Sequence, residues 1–292
     1  MAFILPFKQV DVFTNVPFKG NPVAVINCLN ITEDQISSKQ MQAVANWTNL
    51  SETTFIFKSS HPECHYKIRI FTPLNELPLA GHPMIGTCKA FLEFTETKNV
   101  SKMYCESKLG VIELSIASTG EISFKAPPAD IEGIAAEASA GYQKSLGCEP
   151  VASPKLVRVG PKWVVFLVSD AEKCYGVNPD FAKLKHISNI FEHTGLILAG
   201  SKSGSMTNFE MRAFAPAEGV DEDPVCGSGS LALTRYLHDH FKYSETTQIN
   251  ITEGGRLGRD GHIKTCVSII ESETSYSTGG DAITIINGTI SI

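Results

Sequence analysis

The chain has 292 residues, 42% hydrophobic and 19% charged, values of a folded globular protein rather than a disordered one. A net charge of -6 gives no basic surface to neutralise phosphates, so nucleic acid is not an expected partner. No apolar run reaches the length of a membrane span, and the Met1–Lys8 segment lacks the charged start and cleavage site of a secretion signal, so a cytoplasmic protein is expected.

Val10 and Val12 alternate in a first strand over Lys8–Phe13, and the turn cluster Pro17-Phe-Lys-Gly-Asn-Pro22 precedes a second, Val23-Ala-Val-Ile26. Ser37 or Ser38 caps a helix with Met41, Val44 and Ala45 at helical spacing, ending near Asn49. Leu50-Ser-Glu-Thr-Thr54 leads into the apolar strand Phe55-Ile-Phe57, and Tyr66–Phe71 is the next strand. After Gly81 a helix carries Ile85, Cys88, Phe91 and Leu92 on one face, with Pro83 suited to its first turn. Short strands follow over 109–116 and 121–125. Ala126-Pro-Pro-Ala-Asp130 reads as a linker. It divides an N-terminal half, 1–127, completed by the last strand at 282–292, from a C-terminal half, 128–281. In the second half Ile134, Ala138, Tyr142 and Leu146 repeat along a helix closed by Gly147. Strand-like runs over Val157–Val168 break at Gly160-Pro161. Asp180 caps a helix bearing Phe181, Leu184, Ile187 and Phe191, with Gly195 as its expected terminator, and Leu196–Ala199 is a buried strand. A last helix carries Leu233, Leu237 and Phe241, and strands finish the chain. Many strands with few helices per half imply an α+β fold.

One pattern occurs twice. Arg69-Ile-Phe-Thr-Pro73 runs through an acidic loop into Gly81-His-Pro-Met-Ile-Gly86 and a helix, and Arg212-Ala-Phe-Ala-Pro216 runs likewise into Gly227-Ser-Gly-Ser230 and a helix. The repeated order implies two similar halves, with both helix N-termini able to face one cleft. Gly81 with His82, and Gly227 with Ser228 and Gly229, would expose backbone N–H groups that bind carboxylates or phosphates; ordinary helix caps are the plainer account. Glu52, flanked by Ser51, Thr53 and Thr54, is the candidate acid/base, because a carboxylate in a dry cleft has its pKa raised toward neutrality. A solvated loop glutamate or a cap is the alternative. His82 could shuttle a proton or simply cap its helix, and Asp223 sits in an acidic cluster ahead of the second glycine turn. Cys226 could act as nucleophile or acid/base, since a helix N-terminus lowers a thiol pKa. In the repeat it falls opposite Ala80, so a two-thiol racemase site is absent. The eight cysteines lack any C-x-x-C and read as reduced thiols. His61 with His65, and His238 with His240, lack further ligands at metal-site spacing and read as surface residues. The string Gly227-x-Gly-x-x-Ala232 lies in no βαβαβ context, and Gly81-x4-Gly86-Thr87 lacks the P-loop lysine, so neither supports a nucleotide site.

Across nearly its whole length the chain resembles the PhzF (phenazine-biosynthesis-like) family, which shares the diaminopimelate epimerase fold. The resemblance rests on Val10-Asp-Val-Phe13, Pro17-Phe-x-Gly-Asn-Pro22, Asn49-Leu-Ser-Glu-Thr-Thr-Phe55, Arg69-Ile-Phe-Thr-Pro73, Glu76-Leu-Pro-Leu-Ala-Gly-His-Pro83 and Glu222-Asp-Pro-Val-Cys-Gly-Ser228. It implies two pseudo-symmetric halves, each a barrel-like, mostly antiparallel sheet around a central helix, with the active site between them. It also implies proton transfer without a cofactor; a small carboxylate-bearing substrate held by the helix starts is expected with it, no metal is expected, and a homodimer is left open. Glu52 takes the family's acid/base role, supported by His82, Asp223 and Ser228; the helix-start residues Gly81, Gly227, Gly229 and Cys226 are expected, from their exposed amides, to bind substrate. At Cys226 the phenazine enzyme has threonine, and the string there is similar to the epimerase's. An isomerase is the leading expectation; a ligand-binding protein on the same fold and an epimerase using Cys226 with Glu52 are the alternatives.

Overall fold

The structure is a computed structural model that describes residues 3–126, 129–271 and 273–292; Pro127 and Pro128 of the expected linker lie outside the described residues. Its contacts divide into two units, Met1–Lys125 with Gly279–Ile292, and Ala126–Thr278.

In the first unit, β1 (Ile4–Val12) lies between β2 (Asn21–Asn27) and the chain's last strand (Ala282–Ser291), antiparallel to both. Helix α1 (Ser38–Thr48) begins at Ser37, whose hydroxyl accepts the Gln40 N–H at 3.2 Å, and ends at Asn49 in the left-handed region. That crossover returns the chain so that β3 (Glu52–Phe57) runs parallel to β2. Antiparallel to β3 comes β4 (Tyr66–Phe71), followed by the short β5 (Glu76–Leu77), α2 (Gly81–Phe94), β6 (Lys102–Ser107), β7 (Gly110–Ile116) and β8 (Ile122–Lys125). The sequence marks one apolar face on α2, yet every residue from His82 to Cys88 is buried. The reason is the sheet around it: α2 packs on β1, β2, β3, β8 and the last strand, so its first turns have no solvent side. A further core of Ile26, Met41, Ala45, Phe55 and Phe71 forms beneath α1.

The second unit runs β9 (Asp130–Gly133), α3 (Ala136–Leu146), β10 (Lys155–Arg158), β11 (Lys162–Val168), α4 (Ala171–Gly176) and α5 (Phe181–Phe191). It continues with β12 (Gly195–Ser201), β13 (Asn208–Ala215), β14 (Val220–Asp223), α6 (Gly227–Phe241), β15 (Thr247–Glu253) and β16 (Gly261–Ile270). Helix α6 packs on β10, β11, β12 and β16, while Tyr142 of α3 and Leu184 of α5 join Phe166, Leu198 and Phe214 in a separate core. Gly195 does not end α5. That helix stops at Glu192, left-handed at φ 55°, and Gly195 opens β12, where a Cβ would lie 2.0 Å from the Phe214 carbonyl oxygen. His238, read from sequence as a surface residue, is half-buried and bonds the Tyr276 hydroxyl at 2.8 Å.

Each unit therefore repeats one construction: a strand, a parallel neighbour, an antiparallel third strand, a short strand, then a buried helix. The registers match as well. Val23 faces Glu52 and Thr53 faces Phe71 in the first unit; Trp163 faces Gly195 and Leu196 faces Phe214 in the second. Glu52 and Gly195 thus hold corresponding places. Among the described residues no helix is long and apolar enough to cross a membrane.

Candidate active site

The repeated Arg-x-Phe motif is a brace for the loop that delivers each helix. Arg69 forks onto Glu76, Nε to Oε1 at 2.8 Å and Nη2 to Oε2 at 2.7 Å, and lies over the Phe71 ring. Arg212 forks onto Glu222 through two bonds of 2.8 Å and lies over Phe214. A planar guanidinium on a carboxylate fixes both position and direction. In each copy the chain is pinned just ahead of the glycine turn.

In the first unit Glu52 opens β3, and the residues after it are held from two sides. Thr53 bonds Thr48 of α1 at 2.9 Å, and buried Thr54 bonds Thr87 of α2 at 2.8 Å. His82 stands in the first turn of α2, where Gly81 leads the helix and the N-cap residue, Ala80, has no side-chain cap bond among the described residues, which suits its first amides to an outside acceptor. The His82 imidazole Nε2 lies 3.1 Å from Glu52 Oε2. Burial lowers the imidazole's pKa to about 3, opposed by a hydrogen bond to the Pro22 backbone, so the ring is neutral near pH 7.

In the second unit β14 ends at Asp223, whose Oδ1 accepts the Val225 N–H at 3.2 Å. Burial pushes this carboxyl up to about 6, against the pull of the Val225 amide and Cys226. Cys226 is the N-cap of α6: Sγ accepts the Gly229 N–H at 3.3 Å and lies 3.6 Å from Ser228 Oγ. A side chain at Gly229 would meet Ile197 Cδ1 at 2.6 Å and Cys226 Sγ at 3.1 Å, so only glycine lets the cap close. Its thiol does not follow the expected direction. Burial raises the Cys226 pKa well above 9, and the carboxyls of Asp223 and Glu253 add to the rise, outweighing the helix terminus. Ser228, partly exposed in the first turn, accepts the indole N–H of Trp163 at 3.1 Å. The Cys226 N–H donates to Glu253 Oε2 at 2.7 Å; Glu253 is 2% exposed, and burial holds its carboxyl far above the usual range.

A sequence profile described as Phenazine biosynthesis-like protein matches residues 10–288. The chain is a member of the PhzF family. Among PhzF relatives, Antisense-enhancing sequence 1 of Schizosaccharomyces pombe is 36% identical over 97% of both chains. Trans-2,3-dihydro-3-hydroxyanthranilate isomerase of Pseudomonas fluorescens is 30% identical, over 96% of this chain and 97% of that one. A PhzF-family protein of Bacillus anthracis shares the fold, with a TM-score of 0.84 at 20% identity over 99% of each chain. Isomerases are thus among the relatives.

The structure brings Glu52, His82 and Gly81 together in the first unit. It brings Asp223, Cys226, Gly227, Ser228 and Gly229 together in the second. Two neighbours escaped the sequence reading. Glu253 left a signal, since it stands in the inward phase of the alternation Ile249, Ile251, Glu253, where an acid is out of place. Trp163 left none, because its meeting with Ser228 depends on how β11 packs against α6.

Proposed function

We propose that this PhzF-family protein is an isomerase that moves a proton on a small carboxylate-bearing substrate without a cofactor, with Glu52 as acid/base. The reading is carried by the 3.1 Å approach of Glu52 Oε2 to His82 Nε2. The ring is neutral, and the Pro22 carbonyl can only accept, so the nitrogen toward Pro22 carries the hydrogen and Nε2 presents its lone pair. A proton that Glu52 takes from a substrate carbon is then held on the Oε2–Nε2 line. When the C–H bond breaks, its electron pair stays on the substrate; the proton returns at another carbon, and no oxidant or reductant is consumed. A positioned acid/base of this kind contributes roughly 10^2 to 10^4 in rate.

The uncapped amides of Gly81 and His82 suit the substrate's negative charge. Asp223, at about 6, can hold or release a proton near neutral pH and is assigned to relaying it. Ser228 is assigned to donating a hydrogen bond to the substrate, and the Gly227 and Gly229 turn to binding it. Because the Cys226 thiol stays protonated, pairing it with Glu52 as a second base is disfavoured. The isomerase activity named for the Pseudomonas fluorescens relative supports the same reaction class.

The test is incubation in heavy water with trans-2,3-dihydro-3-hydroxyanthranilate and with a pool of small carboxylic acids, followed by mass spectrometry. Wild type should introduce deuterium into a carbon position. Glu52→Gln should lose at least about 100-fold of that rate with its circular dichroism unchanged. Full exchange by Glu52→Gln would remove Glu52 as the base, and no exchange by wild type into any acid would overturn the isomerase reading.

A further inference from the structure

The two units carry corresponding strand pairs with opposite fillings. In the first, the parallel pair Val23–Glu52 places a small side chain beside an acid. In the second, the corresponding pair Trp163–Gly195 places an indole beside a residue with no side chain. A Cβ at Gly195 would lie 2.9 Å from Trp163 Cζ3, so the glycine makes room for the ring. The first-turn residues differ to match: His82 stands by Glu52, and Ser228 stands by Trp163. No carboxylate can occupy the second place.

We infer that Trp163 is a positioning residue that, through its indole N–H, turns the Ser228 hydroxyl into an outward donor for the substrate's carboxylate. The inference rests on the reading of Ser228 as a substrate-binding residue given above. Trp163 is 4% exposed, so its ring is fixed by packing and its only polar atom is committed to Ser228 Oγ at 3.1 Å. A serine oxygen has two lone pairs and one hydrogen. The indole fills one lone pair, and Cys226 Sγ lies 3.6 Å from the same oxygen, where either atom can donate. With the indole N–H on one lone pair, the Ser228 hydrogen is turned away from Trp163, and Ser228 is partly exposed. Without the indole N–H the hydroxyl gains rotamers in which its hydrogen points toward the Trp163 slot, and fewer of its conformers present that hydrogen to a carboxylate.

The test is a double-mutant cycle on the full chain with Trp163→Phe, Ser228→Ala and the pair, using 3-hydroxyanthranilate as the calorimetric probe. Trp163→Phe keeps an aromatic ring in the slot and removes the N–H. It should weaken binding about tenfold, the size of one well-placed hydrogen bond, and should add nothing in the Ser228→Ala background. A spectroscopic readout separates positioning from packing. In 15N-indole spectra the Trp163 resonance should shift on adding probe to wild type and lose that response in Ser228→Ala. Trp47, 81% exposed, serves as the internal control. Additive losses in the cycle, an unchanged affinity in Trp163→Phe, an indole signal indifferent to probe, or no binding by wild type would each overturn the inference. Failure here is distinct from failure of the base assignment, since the cycle reads binding of the probe, whereas the Glu52→Gln test reads the rate of deuterium exchange.

Discussion

Arg212→Met tests the loop brace at the deeper of its two copies. Arg212 and Glu222 have side chains only 3% and 8% exposed, and Nη1 of Arg212 also donates to the Val177 carbonyl at 2.6 Å. Removing the guanidinium leaves a buried carboxylate and a buried carbonyl without their donor. Breaking one side of such a pair costs about 3–5 kcal/mol. The first copy differs in surroundings rather than geometry: Arg69 and Glu76 are 11% and 16% exposed, and Lys108 also reaches Glu76 Oε2 at 2.8 Å. There Arg69→Met should cost only about 1 kcal/mol, because solvent and the lysine still serve the carboxylate. In a chain of this size 1 kcal/mol corresponds to roughly 2–4 °C in Tm, so calorimetry should show a loss of about 10 °C for Arg212→Met and about 3 °C for Arg69→Met. Adding Glu222→Leu to Arg212→Met should recover most of the loss, since the uncompensated charge is then gone. Equal losses in the two single variants, or no recovery in the double, would refute this account of the motif.

Three further outcomes follow from the site. Asp223 has its folded pKa raised from 3.8 to about 6, so its contribution to stability is present at low pH and lost as pH rises through about 6. Asp223→Asn should remove about 2 kcal/mol of the stability difference between about pH 4 and pH 8 in urea melts, after allowance for its partial exposure; an unaltered pH profile would contradict the shift. Cys226, held protonated, should react with iodoacetamide near neutral pH at least about 100-fold more slowly than an exposed thiol, read by peptide mass spectrometry; rapid modification would show a thiolate there. Gly195→Ala should cost about 1–3 kcal/mol and shift the Trp163 emission, because the new methyl meets the Phe214 carbonyl and the indole; a stable variant with unchanged emission would mean the slot is loose.

The sequence by itself determined whatever is settled within a few residues. The Ser37 and Asp180 caps, the left-handed Gly147, the two glycine turns and the Arg-x-Phe repeat were all legible, because each is a local hydrogen bond or a fixed spacing. The balance of many strands to few helices carried the α+β architecture, and the repeat carried the corresponding places of Ala80 and Cys226 at the two helix starts. Gly195 was misread for the same reason: glycine punctuates chains locally, whereas here its missing Cβ serves a carbonyl and an indole from other strands. Tertiary structure alone decided that Glu52 meets His82, that Trp163 meets Ser228, and that Glu253 takes the Cys226 amide. It also decided the direction of the Cys226 thiol, since a helix terminus can be read from sequence but burial beside two carboxyls cannot. Strand register and packing set those meetings, and a one-residue slip would turn each side chain to the opposite face of its sheet.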